Sequence, residues 1–372
     1  MRRAAFVYDE AVSQHVLREG HVMRPTRLKY TYELLAAYGA FKQSKLVSPR
    51  HATAEELLWF HTPEYVSAVQ SISRGDGLAV PERYNFSDSG DNPPYPGMYE
   101  ASTLSTGGSL VTAELVAGGE ADVAFNVAGG LHHAAAGHAS GFCVFNDPVI
   151  AIEYLNRQGM RPLYIDIDCH HGDGVQNAFY RSKGVMTISL HESGRFLFPG
   201  TGEVEELGEG EGKGYSVNIP LAPYSEDDVF AWAFDEVVPP LARAFNPDVI
   251  VTQLGMDTHF DDPITHLRMT VEGHGRIVEK LGELAPRWVA LGGGGYDMAA
   301  VARGWTLDYG LMMGVEWPDE TPEAYKAEYG IVQLRDGAAP PLDPTAEAST
   351  RAFAEASVDR VKSLIFPLHG IG

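Results

Sequence analysis

The run Leu163-Tyr-Ile-Asp166-Ile-Asp168-Cys-His170-His171-Gly-Asp173-Gly174 passes from an apolar strand straight into a cluster of carboxylates and imidazoles. Leu163–Asp168 reads as a strand of nearly continuous apolar character, as expected where both faces are covered. Residues two apart in a strand point the same way, so Asp166, Asp168 and His170 can share one face. Carboxylates on a buried strand are costly unless paired or bound to a metal. A divalent ion is the economical explanation. Zn²⁺ takes His nitrogen and Asp oxygen readily, and a catalytic site keeps one position open for water. The competing reading is a hydrogen-bonded structural loop.

Outward from this run the same pattern repeats. Strands are expected at Ala4–Tyr8, Asp122–Val127, Val185–Leu190, Tyr215–Ile219, Val249–Leu254 and Trp288–Leu291. Helical patterns lie between them at Pro25–Tyr38, Pro148–Arg157, Glu226–Phe245 and Val271–Leu284, with Pro25 and Pro148 suited to first turns. This alternation predicts an α/β fold with a mainly parallel central sheet and helices on both faces. Polar residues follow one strand after another: His132 and His133, the Asp166–Asp173 cluster, His191, Asp257, and Gly292–Tyr296. In open parallel sheets the ligand site lies beyond the carboxyl ends of the strands, so these residues are expected to converge.

The chain has 372 residues, and at roughly 150 per domain it could hold two, but large α/β units exceed that figure. No low-complexity linker divides it. One domain over residues 1–372 is expected, with a motif-bearing core at about 4–310 and a C-terminal part, 311–372, packed on it. Ser87–Pro96, Glu203–Lys213 and Pro318–Pro344 read as loops, and Ala346–Leu364 as an amphipathic helix.

The 28 Lys and Arg against 50 Asp and Glu give a net charge of −22. With no Lys/Arg-rich run, a nucleic-acid partner is not expected; a cationic substrate suits the charge better. Hydrophobic content of 44% supports a large core and excludes wholesale disorder. Only Cys143 and Cys169 occur, which excludes a disulfide framework and indicates a reduced, cytoplasmic setting. Arg2 and Arg3 are followed by Tyr8, Asp9 and Glu10 rather than a signal peptide's apolar run. The stretch Val123–Asn146 has no Asp, Glu, Lys or Arg, but its His, Asn and Gly make it too polar for a membrane span.

Within that stretch stands Gly129-Gly-Leu-His132-His133. Adjacent imidazoles can act as general base and general acid, each needing a carboxylate on its far nitrogen. Asp166 and Asp173 are the spare carboxylates; a solvated His pair is the alternative. Asp257 is the candidate third metal ligand, against an ordinary turn or N-cap Asp. Gly292-Gly-Gly-Gly-Tyr296 fits neither a P-loop nor a complete dinucleotide fingerprint. It reads as a permissive turn that presents the Tyr296 hydroxyl to a developing oxyanion. Cys143 reads as small core filler.

These residues resemble the histone deacetylase superfamily, most of all its zinc-dependent class I branch. The resemblance runs through HVMRPTRLKYTYELL (21–35), GGLHHAAAGHASGFCVFND (129–147) and YIDIDCHHGDGVQNAF (164–179). It continues in FPGTG (198–202), GKGYSVNIP (212–220), and the Gly292–Tyr296 turn with Ala302-Arg-Gly-Trp305. The N-terminal Tyr8-Asp-Glu-Ala-Val and the length resemble the bacterial acetoin-utilisation (AcuC-type) deacetylases. The resemblance implies the arginase–deacetylase fold and hydrolysis of N-ε-acetyl-lysine. It makes Asp168, His170 and Asp257 zinc ligands, His132 and His133 the catalytic pair on Asp166 and Asp173, and Tyr296 the carbonyl-polarising residue. Gly141, Phe142 and Phe198 match the substrate tunnel, with the phenylalanines as its walls, and Asp91 matches a rim carboxylate that binds substrate backbone. An inner structural K⁺ would take main-chain oxygens of Asp166, Asp168 and His170 with Ser189 and Leu190; an outer one, Phe179, Val185 and Tyr215.

Cys169 departs from the usual residue of the metal loop and should point away from the ion. Asp261, Asp262 and Ile264 are not the tunnel-floor and rim set of the histone enzymes. Fe²⁺ suits the same ligands as Zn²⁺. The resemblance suggests acetyl-CoA synthetase as the acetylated partner. Acetylpolyamine hydrolysis is the nearest alternative; an arginase-like di-metal hydrolase and a metal-binding regulator without turnover are further ones.

Overall fold

A computed structural model describes residues 2–372. Its eight strands are β1 (Ala4–Val7), β2 (Lys45–Val47), β3 (Val123–Asn126), β4 (Pro162–Asp166), β5 (Met186–Glu192), β6 (Ser216–Leu221), β7 (Val249–Gln253) and β8 (Trp288–Leu291). They form one sheet in the order β2-β1-β3-β8-β7-β4-β5-β6, and every pairing is parallel. All strands except β2 are buried along their whole length, which accounts for their apolar sequences.

Side-chain alternation divides the core between the two faces. Phe6, Phe125, Ile165, Ile188 and Ile250 pack with helices Thr26–Ala37, Asp227–Phe245, Val271–Leu281, Met298–Met313 and Pro344–Leu364. Their neighbours Ala5, Ala124, Tyr164, Val251 and Val289 face helices Met98–Ala117, Asp147–Arg157 and Asp173–Phe179. The C-terminal helix lies against β6, where Ser357 donates to the Pro220 carbonyl at 2.8 Å.

The chain reaches one edge of the sheet with β1–β3 and the other with β4–β6. It then returns inward, so that β7 and β8 fill the gap between β4 and β3. The order therefore switches in the middle of the sheet, which places a crevice at the carboxyl ends of β3, β8, β7 and β4.

Several expectations need correction. The ladder of β4 ends at Asp166, so Asp168 and His170 lie on the segment beyond it rather than in the strand. Strand β5 runs on to Glu192 and takes in His191. Pro25 is the N-cap of its helix, one residue before the first turn. The stretch 318–344 contains the helix Glu323–Tyr329. Strand β2 was not expected: it has only three residues, is largely exposed, and carries little hydrophobic pattern. Helix Met98–Ala117 also escapes the periodicity argument, because it is buried around most of its circumference with Ser, Thr and Gly inside.

Candidate active site

His132 and His133 follow β3 and reach one carboxylate at the end of β4 and one beyond it. His132 Nδ1 lies 2.8 Å from Asp166 Oδ2, and His133 Nδ1 lies 2.7 Å from Asp173 Oδ1. The two Nε2 atoms face each other at 3.0 Å. Asp166 also accepts from the Tyr164 hydroxyl at 2.8 Å and from Asp168 N at 3.1 Å. Burial works against a charge on His132, but Asp166 and Asp168 outweigh it and push its pKa up to about 9. Burial and the neighbouring His132 push His133 down to about 3. A charge on the pair is thus favoured on His132 and disfavoured on His133.

Beside this pair, one ligand atom each from Asp168, His170 and Asp257 lies within 4.8 Å of the others, and all three residues are buried. His170 Nδ1 is 2.9 Å from Asp257 Oδ2 and 3.2 Å from Asp168 Oδ1. Against the effect of burial, these two carboxylates push His170 up to about 10. The cluster thus demands positive charge at its centre, which a divalent cation satisfies in place of the proton. The remaining lone pairs are oriented from outside the cluster. Asp168 Oδ2 accepts from Gly294 N at 2.7 Å and Gln253 Nε2 at 3.1 Å, and Asp257 Oδ1 accepts from Cys169 N at 2.8 Å. A Cβ at Gly255 would stand 2.0 Å from Asp168 Oδ2, and one at Gly294 2.0 Å from Asp257 Oδ2. The backbone presses this closely on the carboxylates only because both positions are glycine. The donor set, its charge and its cradle fit a metal ion.

Tyr296 is carried in by the glycine turn after β8. Gly293 and Gly295 have φ of 130° and 124°, which L side chains rarely adopt. The buried Arg27 donates to both of their carbonyls at 2.6 Å, and Tyr296 N donates to Asp262 Oδ2 at 2.8 Å.

A cavity of about 380 Å³ leads from the surface to these groups, lined by His133, Gly141, Phe142, His170, Phe198 and Tyr296, with Arg18, Asp91 and Ile264 also lining it. Phe198 meets His133 edge-on at 5.0 Å, and Phe142 meets Tyr296 edge-on at 5.8 Å. A Cβ at Gly141 would fall 2.4 Å from His133 Cδ2, so the wall admits only glycine there. Phe142 itself has φ of 68°, a strained value for a bulky residue, and this places its ring on the cavity. A pocket of about 10 Å³, lined by His132, His133, Asp168, His170 and Tyr296 among others, has room for about one water molecule. Asp91 is exposed, and its carbonyl lies 3.3 Å from His21 Nε2.

A sequence profile described as the histone deacetylase domain matches residues 21–310. The chain is 42% identical over 330 residues to the acetoin utilization protein AcuC of Bacillus subtilis, covering 87% of this chain and 85% of that protein. It is 38% identical over 332 residues to human histone deacetylase 1, covering 88% of this chain and 68% of that one. The crystal structure of an HDAC homolog from Aquifex aeolicus superposes with a TM-score of 0.86 at 32% identity, covering 95% of this chain and all of that one.

The chain belongs to the histone deacetylase family.

It is accordingly a deacetylase, a hydrolase, and its parallel sheet with flanking helices is the arginase–deacetylase fold. The profile match contains every candidate residue named from the sequence. Of the potassium candidates, Asp166 pairs in register with Ser189 on β5, followed by Leu190. Phe179 ends the helix Asp173–Phe179, while Val185 and Tyr215 immediately precede β5 and β6. Both cysteines are buried and unpaired. No helix among the described residues is long and apolar enough to cross a membrane.

Three residues of this deacetylase site, Arg27, Gln253 and Asp147, were missed in the sequence, and Asp262 was named there only as a departure from the histone enzymes. Arg27 and Gln253 brace the glycine turn and Asp168. Asp262 holds Tyr296. Asp147 accepts from Gly130 N at 2.9 Å and Leu131 N at 2.8 Å, which fixes the loop ahead of His132. Gln253 carried a signal, since a polar residue ends an otherwise apolar strand. Arg27 had none, because a lone Arg on a helix ordinarily faces solvent.

Proposed function

We propose that this deacetylase hydrolyses N-ε-acetyl-lysine in proteins, with a divalent ion, Zn²⁺, held by Asp168, His170 and Asp257. The observation that carries this reading is the meeting of those three donors with two His–Asp pairs and Tyr296 at the end of one narrow cavity. When bound, the ion supplies Lewis-acid polarisation of the acetyl carbonyl and a lowered pKa for the attacking water. Iron(II) suits the same donors.

His133 takes the water proton on Nε2 while Asp173 holds Nδ1, and the same proton then passes to the leaving lysine amine. His132, on Asp166, sets the charge beside it. At a 3.0 Å separation, protons on both Nε2 atoms would repel, so His133 acts as the base while His132 is neutral, with its one ring proton on Nδ1 and held by Asp166. The Tyr296 hydroxyl donates to the tetrahedral oxyanion, a contact typically worth about 2.7–4 kcal/mol. Phe142 and Phe198 enclose the apolar lysine stem, Gly141 leaves room between them, and Asp91 accepts backbone N–H groups of the substrate at the rim. Potassium ions at the main-chain oxygens of Asp166, Asp168, His170, Ser189 and Leu190, and of Phe179, Val185 and Tyr215, would stiffen the strands behind the site.

We take residues 1–372 as a single deacetylase domain acting in the cytoplasm. We propose acetyl-CoA synthetase as an acetylated partner, the candidate that the resemblance to the acetoin-utilisation deacetylases suggests. The acidic surface, with a net charge of −22, also favours a second reading as an acetylpolyamine hydrolase. The test is turnover of an acetyl-lysine peptide beside acetylspermidine, with and without chelator and with zinc added back. Faster use of acetylspermidine would replace the protein-substrate reading. Undiminished activity after complete metal removal would end the metal mechanism.

A further inference from the structure

The loop 258–270 follows Asp257, itself four residues past the end of β7, and carries Asp262, the acceptor for Tyr296 N. Its conformation is tied to a part of the chain beyond the family match. His259 Nδ1 accepts from Asp261 N at 3.1 Å, so a neutral ring carries its proton on Nε2 and donates it to Asp336 Oδ2 at 3.0 Å. The same oxygen accepts from Val271 N at 2.7 Å, at the start of helix Val271–Leu281. The other oxygen of Asp336 accepts from the Arg303 guanidinium. Glu272 accepts in turn from Asp336 N at 3.0 Å and Gly337 N at 2.8 Å. The side chains of His259 and Asp336 are 0% and 6% exposed.

Two routes run from this carboxylate to Tyr296. On the first, the His259 carbonyl accepts from Asp262 N at 3.0 Å, and Asp262 Oδ2 accepts from Tyr296 N at 2.8 Å. On the second, Arg303 sits in helix Met298–Met313, whose N-cap, Asp297, directly follows Tyr296. Asp336 therefore grips the loop before Tyr296 and the helix after it, without itself lining the cavity.

We propose that Asp336 is a positioning residue for Tyr296, through which the C-terminal segment sets the place of the oxyanion donor. This rests on the reading of Tyr296 as that donor. Releasing the loop lets the Asp262 turn shift, and displacement of a reacting group by about 1 Å costs on the order of 10²-fold in rate.

The test combines Asp336→Asn and His259→Phe, each alone and each with Tyr296→Phe. It measures kcat, KM and metal content in full-length protein on an acetyl-lysine peptide. Each single variant is expected to lose kcat by roughly 10- to 100-fold, with KM and the metal-to-protein ratio little changed. In the Tyr296→Phe background neither should lower kcat further, because the group they position is gone. Equal losses in both backgrounds would overturn the proposal, as would full kcat in a protein that has lost only thermal stability. A Tyr296→Phe enzyme with undiminished rate would remove the oxyanion reading and this proposal with it.

Discussion

His132 and His133 point their Nε2 atoms at each other across 3.0 Å, while each Nδ1 is held by a separate buried or half-buried aspartate. This geometry makes the pair one titrating unit, with the two carboxylates dividing the work. Asp173 raises the basicity of His133 against burial and against His132. Asp173→Asn should therefore lower the proton affinity of His133, move the acid limb of kcat/KM to lower pH, and reduce kcat by about 10²–10⁴-fold. A pH–rate profile of the variant that superimposes on the wild type would refute the base assignment.

Tyr296 is fixed by its backbone, through Asp262 and the turn held by Arg27, and its hydroxyl is not part of that support. Tyr296→Phe should keep fold and metal content while kcat falls by about 10²–10³-fold. Circular dichroism, elemental analysis and single-turnover rates test the three parts separately.

Gly294 gives a way to disturb the metal ligands without removing one. A methyl group there would stand 2.0 Å from Asp257 Oδ2. Gly294→Ala should lower zinc retention during dialysis against a weak chelator, and Asp257→Ala should abolish binding. A wild-type metal-to-protein ratio in Asp257→Ala would exclude that residue as a ligand.

Asp336 bears on acid stability. Burial alone would raise its pKa, but hydrogen bonds from His259, Val271 N and Arg303 hold the carboxyl well below the usual range. A depressed native pKa stabilises the fold above the unfolded value of about 4, and that contribution is lost as the pH falls through the native pKa. Asp336→Asn should cost about 1–3 kcal/mol at neutral pH. The gap from wild type should narrow below about pH 4. Urea melts at pH 7 and pH 3 give the comparison; an equal gap at both would contradict the assignment.

Much of this arrangement was legible in the sequence because it is written locally. The strand before Asp166, the tandem His132-His133 and the glycine run before Tyr296 each pair a chemical group with the backbone that presents it. The supports were not legible, because they join residues far apart in the chain. Arg27 meets the carbonyls of Gly293 and Gly295, and Asp336 meets His259, with no periodicity to announce either contact. Where a side chain's role depends on a partner tens or hundreds of positions away, its residue type alone leaves solvent exposure as the default reading. The short strand β2 fails for the opposite reason: its hydrogen bonds to β1 define it, and its exposed side chains carry no pattern.

β8 is the last strand along the chain yet lies in the middle of the sheet, which bears on how the enzyme comes into being. Without it, β2-β1-β3 and β7-β4-β5-β6 are two separate ribbons with no ladder between them. The second ribbon alone carries Asp168, His170 and Asp257. A nascent chain emerging from the ribosome therefore has all three ligand candidates before it has a closed sheet, while the histidine pair waits on the other ribbon. The last strand joins the two and brings Tyr296 with it, so hydrolytic competence arrives only with the closing of the sheet.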